Sequence, residues 1–234
     1  MKGVRALALG ICGALAAQSA AADWSGKGKV GGVFSRGNTQ TTSANAIIDL
    51  ENQLDRWKHK FGGTLLRALS EAETTADRWE LRAESEYTPT NRIFTWVSSR
   101  YENDKFTTYA YQATAATGLG YHFFLREGTK LDVKAGIGAR RAEDRFTDEV
   151  EADQILRGNV DFEHKLTENT LVFNRYLIES GPSNTFSQNV LGLEVKMTKT
   201  LGLGLSWEIR RNTEVLPRTR NSDQVFTAGL VVGF

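Results

Sequence analysis

Hydrophobic and polar residues alternate with a period of two along most of the chain. In "RWELRAESEY", Trp79, Leu81, Ala83, Ser85 and Tyr87 share one side, and Glu80, Arg82, Glu84 and Glu86 share the other. Successive side chains of a strand point to opposite faces, so this segment predicts a strand with one apolar and one ionic surface. "KLDVKAGIGAR" sets Leu131, Val133, Ala135, Ile137 and Ala139 against Lys130, Asp132, Lys134 and Arg140. "NVLGLEVKM" sets Leu191, Leu193, Val195 and Met197 against Glu194 and Lys196, and "LGLGLSWEIR" sets Leu201, Leu203, Leu205, Trp207 and Ile209 against Glu208 and Arg210. Looser alternation predicts further strands near 24–35, 41–54, 57–70, 92–102, 107–122, 153–165 and 170–180. With 78–87, 129–141, 186–198, 201–212 and 223–234 the total is about twelve strands. At 92–102 ("RIFTWV") and 170–180 ("TLVFNRYLI") both sides carry apolar residues, and the pattern assigns no inward face.

The connections alternate as well. Short turns fall at Asp55-Arg56, Thr88–Asn91, Leu166–Asn169 and Lys199-Thr200. Between them come longer polar links: "SEAETTAD", "ENDKFT", "AEDRFTDEVEA", "ESGPSNT" and "NTEVLPRTRNS". Two connections depart from this rhythm, a long turn near 123–129 and a short first loop, "RGNTQ". Tight turns at one end and longer loops at the other are the pattern of an outer-membrane barrel. The ionic face, with several charges per strand, is too charged for the dry core of a sandwich. A soluble lipocalin-like barrel is the competing arrangement, but about twelve strands exceed what a small one needs. Aromatic residues gather near the strand ends: Trp24, Trp57, Tyr87, Tyr121 and Phe234 at the short-turn end, with Phe34, Trp79, Tyr109 and Tyr111 toward the other. Such belts sit where hydrocarbon meets headgroups. The predicted fold is therefore all-β: a transmembrane antiparallel up-and-down barrel of about twelve strands.

The first 22 residues differ from the rest. Lys2 and Arg5 precede an apolar run, Ala6–Ala17, and the small residues Ala20, Ala21 and Ala22. The run is too short to span a bilayer as a helix and predicts a secretory signal peptide over 1–22, cleaved before Asp23. Residues 23–234 are then the exported barrel, placed in the outer membrane of a Gram-negative bacterium. The single cysteine, Cys12, falls inside the leader, and Ile11 before it does not suit a lipoprotein signal. Loss of Lys2 and Arg5 takes the formal charge from +1 to −1. Neither that balance nor any basic run points to nucleic acid. The composition, 22 Gly against 3 Pro, suits closely packed strands rather than a Pro-rich linker.

The last segment ends "SDQVFTAGLVVGF", with Phe226, Ala228, Leu230, Val232 and Phe234 on one side. An apolar final strand ending in Phe resembles the recognition signal of bacterial outer-membrane proteins. It implies an encounter with the barrel-assembly machinery by strand addition, with Phe226, Leu230, Val232 and Phe234 as the signal. Outer-membrane lipid and lipopolysaccharide are the other expected partners; the oligomeric state is not fixed by the sequence.

"SRGNTQTTSANA" (Ser35–Ala46) and "YENDKFTTYAYQATAATGLGYHF" (Tyr101–Phe123) resemble the YdiY-like family of salt-induced outer-membrane proteins, a domain of unknown function. Its first turn reads as Gly37, Asn38, Thr39, Thr41 and Thr42 here, and its later "GLGY" as Gly118, Leu119, Gly120 and Tyr121. The resemblance implies an outer-membrane barrel without an assigned activity, a connection to salt, and no catalytic residues to carry over.

Motifs for chemistry are sparse. "GKGKVG" contains Gly26, Gly28 and Gly31 in dinucleotide spacing, but neither the preceding strand nor the following helix of that site is predicted. His59, His122 and His164 are far apart in sequence and near short-turn ends, which suits neither metal nor general base. Glu143, Asp144, Asp148, Glu149, Glu151 and Asp153 form an acidic link without calcium-loop spacing. No cofactor, metal or catalytic residue is expected. An outer-membrane lipase would need Ser, a base and an orienting group together on the lipid-facing wall. That enzyme, a protease, and a soluble periplasmic binding barrel are the alternatives.

The predicted inward face is the informative surface. Its first strands supply Lys27, Lys29, Asp49, Glu51, Lys58 and Lys60, followed by Glu80, Arg82, Glu84 and Glu86. Lys130, Asp132, Lys134 and Arg140 come next, then Asp153, Arg157, Asp161 and Glu163, and finally Glu194, Lys196, Glu208 and Arg210. Charges of both signs either line a water-filled pore or pair across strands and fill a narrow one. About twelve strands leave a small interior, which favours a narrow or closed lumen in a non-enzymatic barrel: a small-solute channel or a structural envelope protein linked to salt or osmotic stress.

Overall fold

The computed structural model describes residues 23–35, 41–70, 73–215 and 220–233. The expected leader, the first loop and Phe234 lie outside those residues. The described chain forms β1 (Asp23–Ser35), β2 (Thr41–Leu54), β3 (Trp57–Ser70), β4 (Glu73–Tyr87), β5 (Ile93–Asp104) and β6 (Tyr109–Arg126). It continues with β7 (Thr129–Asp144), β8 (Val150–Lys165), β9 (Thr170–Ser180), β10 (Thr185–Lys196), β11 (Leu201–Asn212) and β12 (Ser222–Gly233). Each strand pairs antiparallel with the next, and β12 pairs with β1, closing the barrel. Closure removes the sheet edges that hydrocarbon could not hydrate.

Local chemistry sets the short-turn end. The Gln53 amide donates to the carbonyls of Asp55 (3.0 Å) and Trp57 (3.1 Å), bracing the turn after β2. The Thr90 and Thr198 hydroxyls accept from the N–H groups of Ile93 (3.0 Å) and Leu201 (2.9 Å). The long turn expected near 123–129 is not long. β6 absorbs an irregularity between His122 and Phe124 and runs on to Arg126. Gly128, at φ +79°, then makes a tight turn that a side chain would strain.

At the other end the strands outrun the sequence pattern. β4 starts at Glu73, β7 extends to Asp144 and β8 starts at Val150, so most of two acidic links is paired strand. Backbone ladders continue through charged residues once the side chains stand clear of hydrocarbon. The remaining β7–β8 turn is closed by Asp144, whose carboxylate accepts from the N–H groups of Phe146 (2.8 Å) and Thr147 (3.0 Å). This assigns the acidic link a turn-forming role.

Alternation now has a direction. Val30, Ile137 and Leu156 face outward, 66–69% exposed. The ionic positions face inward, as bonds between strands that are not neighbours require. The two strands of ambiguous facing are resolved. β5 turns Phe94, Trp96, Ser98, Arg100 and Glu102 inward, and β9 turns Phe173, Leu177 and Glu179 inward, all buried. The Phe94 ring lies against Gly120 and the Phe173 ring against Gly192, where a Cβ would collide with each ring.

Candidate functional site: an ion-paired lumen

The densest cluster of functional groups fills the lumen nearer the long-loop end. The Arg100 guanidinium donates to Glu102 (2.8 Å) beside it on β5 and to Glu179 (2.7 Å) on β9, across the barrel. Glu179 is fully buried and also accepts from Arg157 (3.0 Å) and from the Thr114 hydroxyl (3.3 Å). Arg210, on β11, pairs with Glu102 on β5. Arg78 on β4 donates to Glu208 on β11 (3.0 Å), which also accepts from Gln188 (3.0 Å). Glu80 lies 3.6 Å from Arg100 and 3.8 Å from Arg210. The Phe186 ring packs between two of these cations, with Arg100 at 4.4 Å and Arg210 at 4.9 Å from its centre. Arg157 stands 5.7 Å from the Trp96 ring. Every bond from β5 to β9 or β11 crosses the space a solute would use.

A second cluster lies nearer the short turns. Lys134 on β7 donates to Glu84 on β4 (2.6 Å), again across non-neighbouring strands, and lies 3.7 Å from Asp161. Lys60 donates to Glu86 (2.9 Å). Around it the lumen is wetter: the side chains of Arg82 and Asp49, 3.3 Å apart, are 38% and 44% exposed. Lys58 pairs with Glu51 (3.1 Å) and Lys27 with Glu194 (2.9 Å). Lys29 is buried and donates to the Ser206 hydroxyl (3.0 Å). Asp132 lies 2.6 Å from His122, while Lys130 and Lys196 stand exposed at the strand ends.

The long-loop mouth is laced by side chain to backbone bonds. Arg140 donates to Asp153 (2.6 Å) and to the Asn184 carbonyl (2.8 Å). The Asn184 side chain, buried in the β9–β10 turn, donates to Asn212 (2.8 Å) and accepts from the N–H groups of Thr213 (2.9 Å) and Glu214 (3.0 Å). One turn thereby holds down the β11–β12 connection.

The sequence-predicted charges are thus brought together largely as cross-strand pairs, but the central members were missed. Arg78, Arg100, Glu102 and Glu179 complete the long-loop cluster, and Asn184 the mouth. A signal existed for two of them: Ser98, Arg100 and Glu102 alternate with Val97, Ser99 and Tyr101. Aromatic pairs occupy the outer wall, with Trp57 and Tyr87 at 4.9 Å and Trp79 and Tyr101 at 5.2 Å between ring centres. Trp24 is exposed there, and Tyr121 packs on Phe123 (4.9 Å). Tyr109 is a correction. It is buried, and its hydroxyl donates to Glu151 (3.3 Å), because the irregularity between Tyr109 and Tyr111 shifts the alternation by one residue. Phe226, Leu230 and Val232 face outward, 48–60% exposed.

"GKGKVG" is strand, with Lys27 and Lys29 inward, and the next described element is the strand β2. His59 Nδ1 lies 2.8 Å from the Ser85 hydroxyl on the outer wall, and His164 Nδ1 lies 2.8 Å from Thr129. Among the described residues, no three of His, Cys, Asp and Glu gather as a metal site.

Comparison with known proteins finds a family match over residues 28–234, to the family described as "Protein of unknown function, DUF481". No curated protein matches. Of solved structures, the NanC porin is similar at 9% identity, with a TM-score of 0.54 over 88% of this chain and 98% of that one. The KdgM porin aligns at 10% identity, TM-score 0.47, over 89% and 99%. The translocator domain of autotransporter NalP from Neisseria meningitidis aligns at 10% identity, TM-score 0.49, over 90% and 86%. The fold is that of outer-membrane barrels.

Proposed function

We propose that this chain, which belongs to the DUF481 family, is a non-enzymatic outer-membrane barrel whose lumen is closed at rest by its own ion pairs. The observation that carries this is Glu179: fully buried, and bound at once to Arg100 from β5 and Arg157 from β8. A bound solute or an open pore would leave such groups hydrated. Here they hydrate one another, and cation and carboxylate balance across the cross-section. Buried pairs are little screened by electrolyte, so raised salt alone would not open the path. A role in salt or osmotic stress would then be exerted by a sealed barrel bracing the envelope. A strain lacking the protein should lose growth at high osmolarity, and a closed barrel carrying the full chain should restore it.

Planar bilayers test the closure. The refolded chain should carry no steady current, and Arg100→Ala with Glu179→Ala, which removes one charge of each sign and empties their volume, should conduct. A sustained wild-type current would overturn the reading. Export by a cleaved leader and residence in the outer membrane are tested by N-terminal sequencing and envelope fractionation. The enzyme alternative has one observation in its favour, the Ser85–His59 contact on the outer wall. Asn52, opposite His59 in register, leaves its amide nitrogen without a hydrogen bond. A fluorophosphonate probe should leave wild-type Ser85 unlabelled; labelling lost in His59→Ala would favour hydrolysis instead.

A further inference from the structure

On β9–β12 the outer wall departs from its apolar pattern across four neighbouring strands. Register aligns two adjacent rows: Tyr176, Asn189, Ile209 and Gln224, then Ile178, Ser187, Arg211 and Ser222. Both rows share the outward facing of Leu191, Leu203, Leu205, Trp207 and Phe226, which are 42–60% exposed. They enclose a groove of about 490 Å³ lined by Tyr176, Ser187, Asn189, Ile209, Arg211 and Asn221 with Ser222. One of its polar groups, Asn189, is held in place. Asn189 and Asn174 exchange amide hydrogen bonds of 3.1 and 3.2 Å. Arg211 is exposed and, among the described residues, has no carboxylate within ion-pair distance. Hydrocarbon offers such groups nothing to bond.

Height along the barrel identifies what does. Arg211 stands ten residues beyond Leu201 on β11. At about 3.3 Å per residue and a tilt of about 40°, that is a rise of about 25 Å, the height of the apolar band of such barrels. The groove therefore lies at headgroup level in the leaflet on the long-loop side, which is the outer leaflet when short turns face the periplasm. A guanidinium is suited to bidentate recognition of phosphate. Two hydroxyls and an amide beside it suit a sugar, and Ile209, Trp207 and Phe226 continue below as an apolar track for acyl chains.

We propose that this groove docks the phosphorylated, acylated sugar headgroup of lipopolysaccharide, its lipid A part, with Arg211 on a phosphate and Tyr176, Ser187 and Asn189 on the sugar. The lumen plays no part in this site, so its truth is independent of the closed-barrel reading. The test is binding of lipid A to the full folded chain in detergent micelles, followed by native mass spectrometry, with folding checked by heat-modifiable gel migration. Arg211→Ala should weaken binding at least tenfold, and Asn189→Leu with Ser187→Ala severalfold. Arg141→Ala, on the outer face of β7, should leave it unchanged. Lipid A stripped of phosphate should bind as weakly to wild type as intact lipid A does to Arg211→Ala, and neither phosphatidylglycerol nor inorganic phosphate should compete. Equal binding by wild type and Arg211→Ala would overturn the proposal. So would effective competition by phosphatidylglycerol, or a dimer mass that Arg211→Ala abolishes, which would assign the groove to a second copy of the chain.

Discussion

Replacing Glu179 by Gln keeps the shape of the side chain and removes its charge. Arg100 retains Glu102 at 2.8 Å, but among the described residues Arg157 loses its one carboxylate within ion-pair distance and keeps Asn159, at 3.2 Å, and the Trp96 ring. The cost therefore falls on a guanidinium that is 9% exposed. Leaving one member of a buried pair uncompensated costs about 3–5 kcal/mol. Losing two charge-assisted hydrogen bonds, at about 1.5–3 kcal/mol each, sets an upper bound of about 3–6 kcal/mol, which contains that range. Urea unfolding of the barrel in lipid vesicles, followed by tryptophan fluorescence, should show a destabilisation of about 3–5 kcal/mol. Adding Arg157→Met removes the stranded charge, so the double variant should recover about 2–3 kcal/mol of that loss. Lys105→Ala is the control. It breaks a 2.7 Å pair with Asp77 in which Lys105 is 62% exposed and the partners are screened by water, and should cost far less than Glu179→Gln. If Glu179→Gln costs no more than Lys105→Ala, or if Arg157→Met brings no recovery, the cluster is hydrated and the lumen is not sealed there.

Three further outcomes are expected. Gly120→Ala should destabilise the barrel by about 1–3 kcal/mol in the same urea assay, because its methyl group would enter the Phe94 ring that plugs the lumen. Leu156→Arg, at an outward position 66% exposed in the middle of β8, should cost about 2–4 kcal/mol in vesicles, as for a cation at the bilayer midplane. Phe226→Ala with Leu230→Ala should leave a larger share of the chain unfolded in the cell envelope, read by heat-modifiable migration, while refolding in detergent stays near wild type; unchanged assembly would show that these residues serve packing and not recognition.

Much of this architecture is legible in the sequence because a membrane barrel obeys one simple rule on every strand. β2, β3, β9 and β11 have the bounds that alternation and turn residues predict, and the remaining strands begin and end within a few residues of theirs. The ends fail where pairing is indifferent to side-chain polarity: hydrophobicity stops at the edge of the hydrocarbon, and the backbone ladder of β4, β7 and β8 does not. Tyr109 fails for a different reason. A single extra residue in β6 reverses the facing of what precedes it, and no composition pattern registers that shift.

The lumen was legible as a list of charges and not as a plug. Alternation reports whether a position is polar, whereas closure depends on which strands lie opposite one another across the ring. β5 and β9 are four strands apart in the sheet order, yet Arg100 reaches Glu179 at 2.7 Å. On both strands the inner face mixes aromatic with ionic residues, so the feature that hid their facing is one that fills the interior. Phe94, Trp96, Phe173 and Phe186 occupy volume that further charges would have left to water, and the guanidinium groups of Arg100 and Arg210 flank Phe186 while holding carboxylates at their edges. An inward strand that reads as apolar on both sides is therefore evidence for a filled barrel, because a water-lined pore has no use for buried rings.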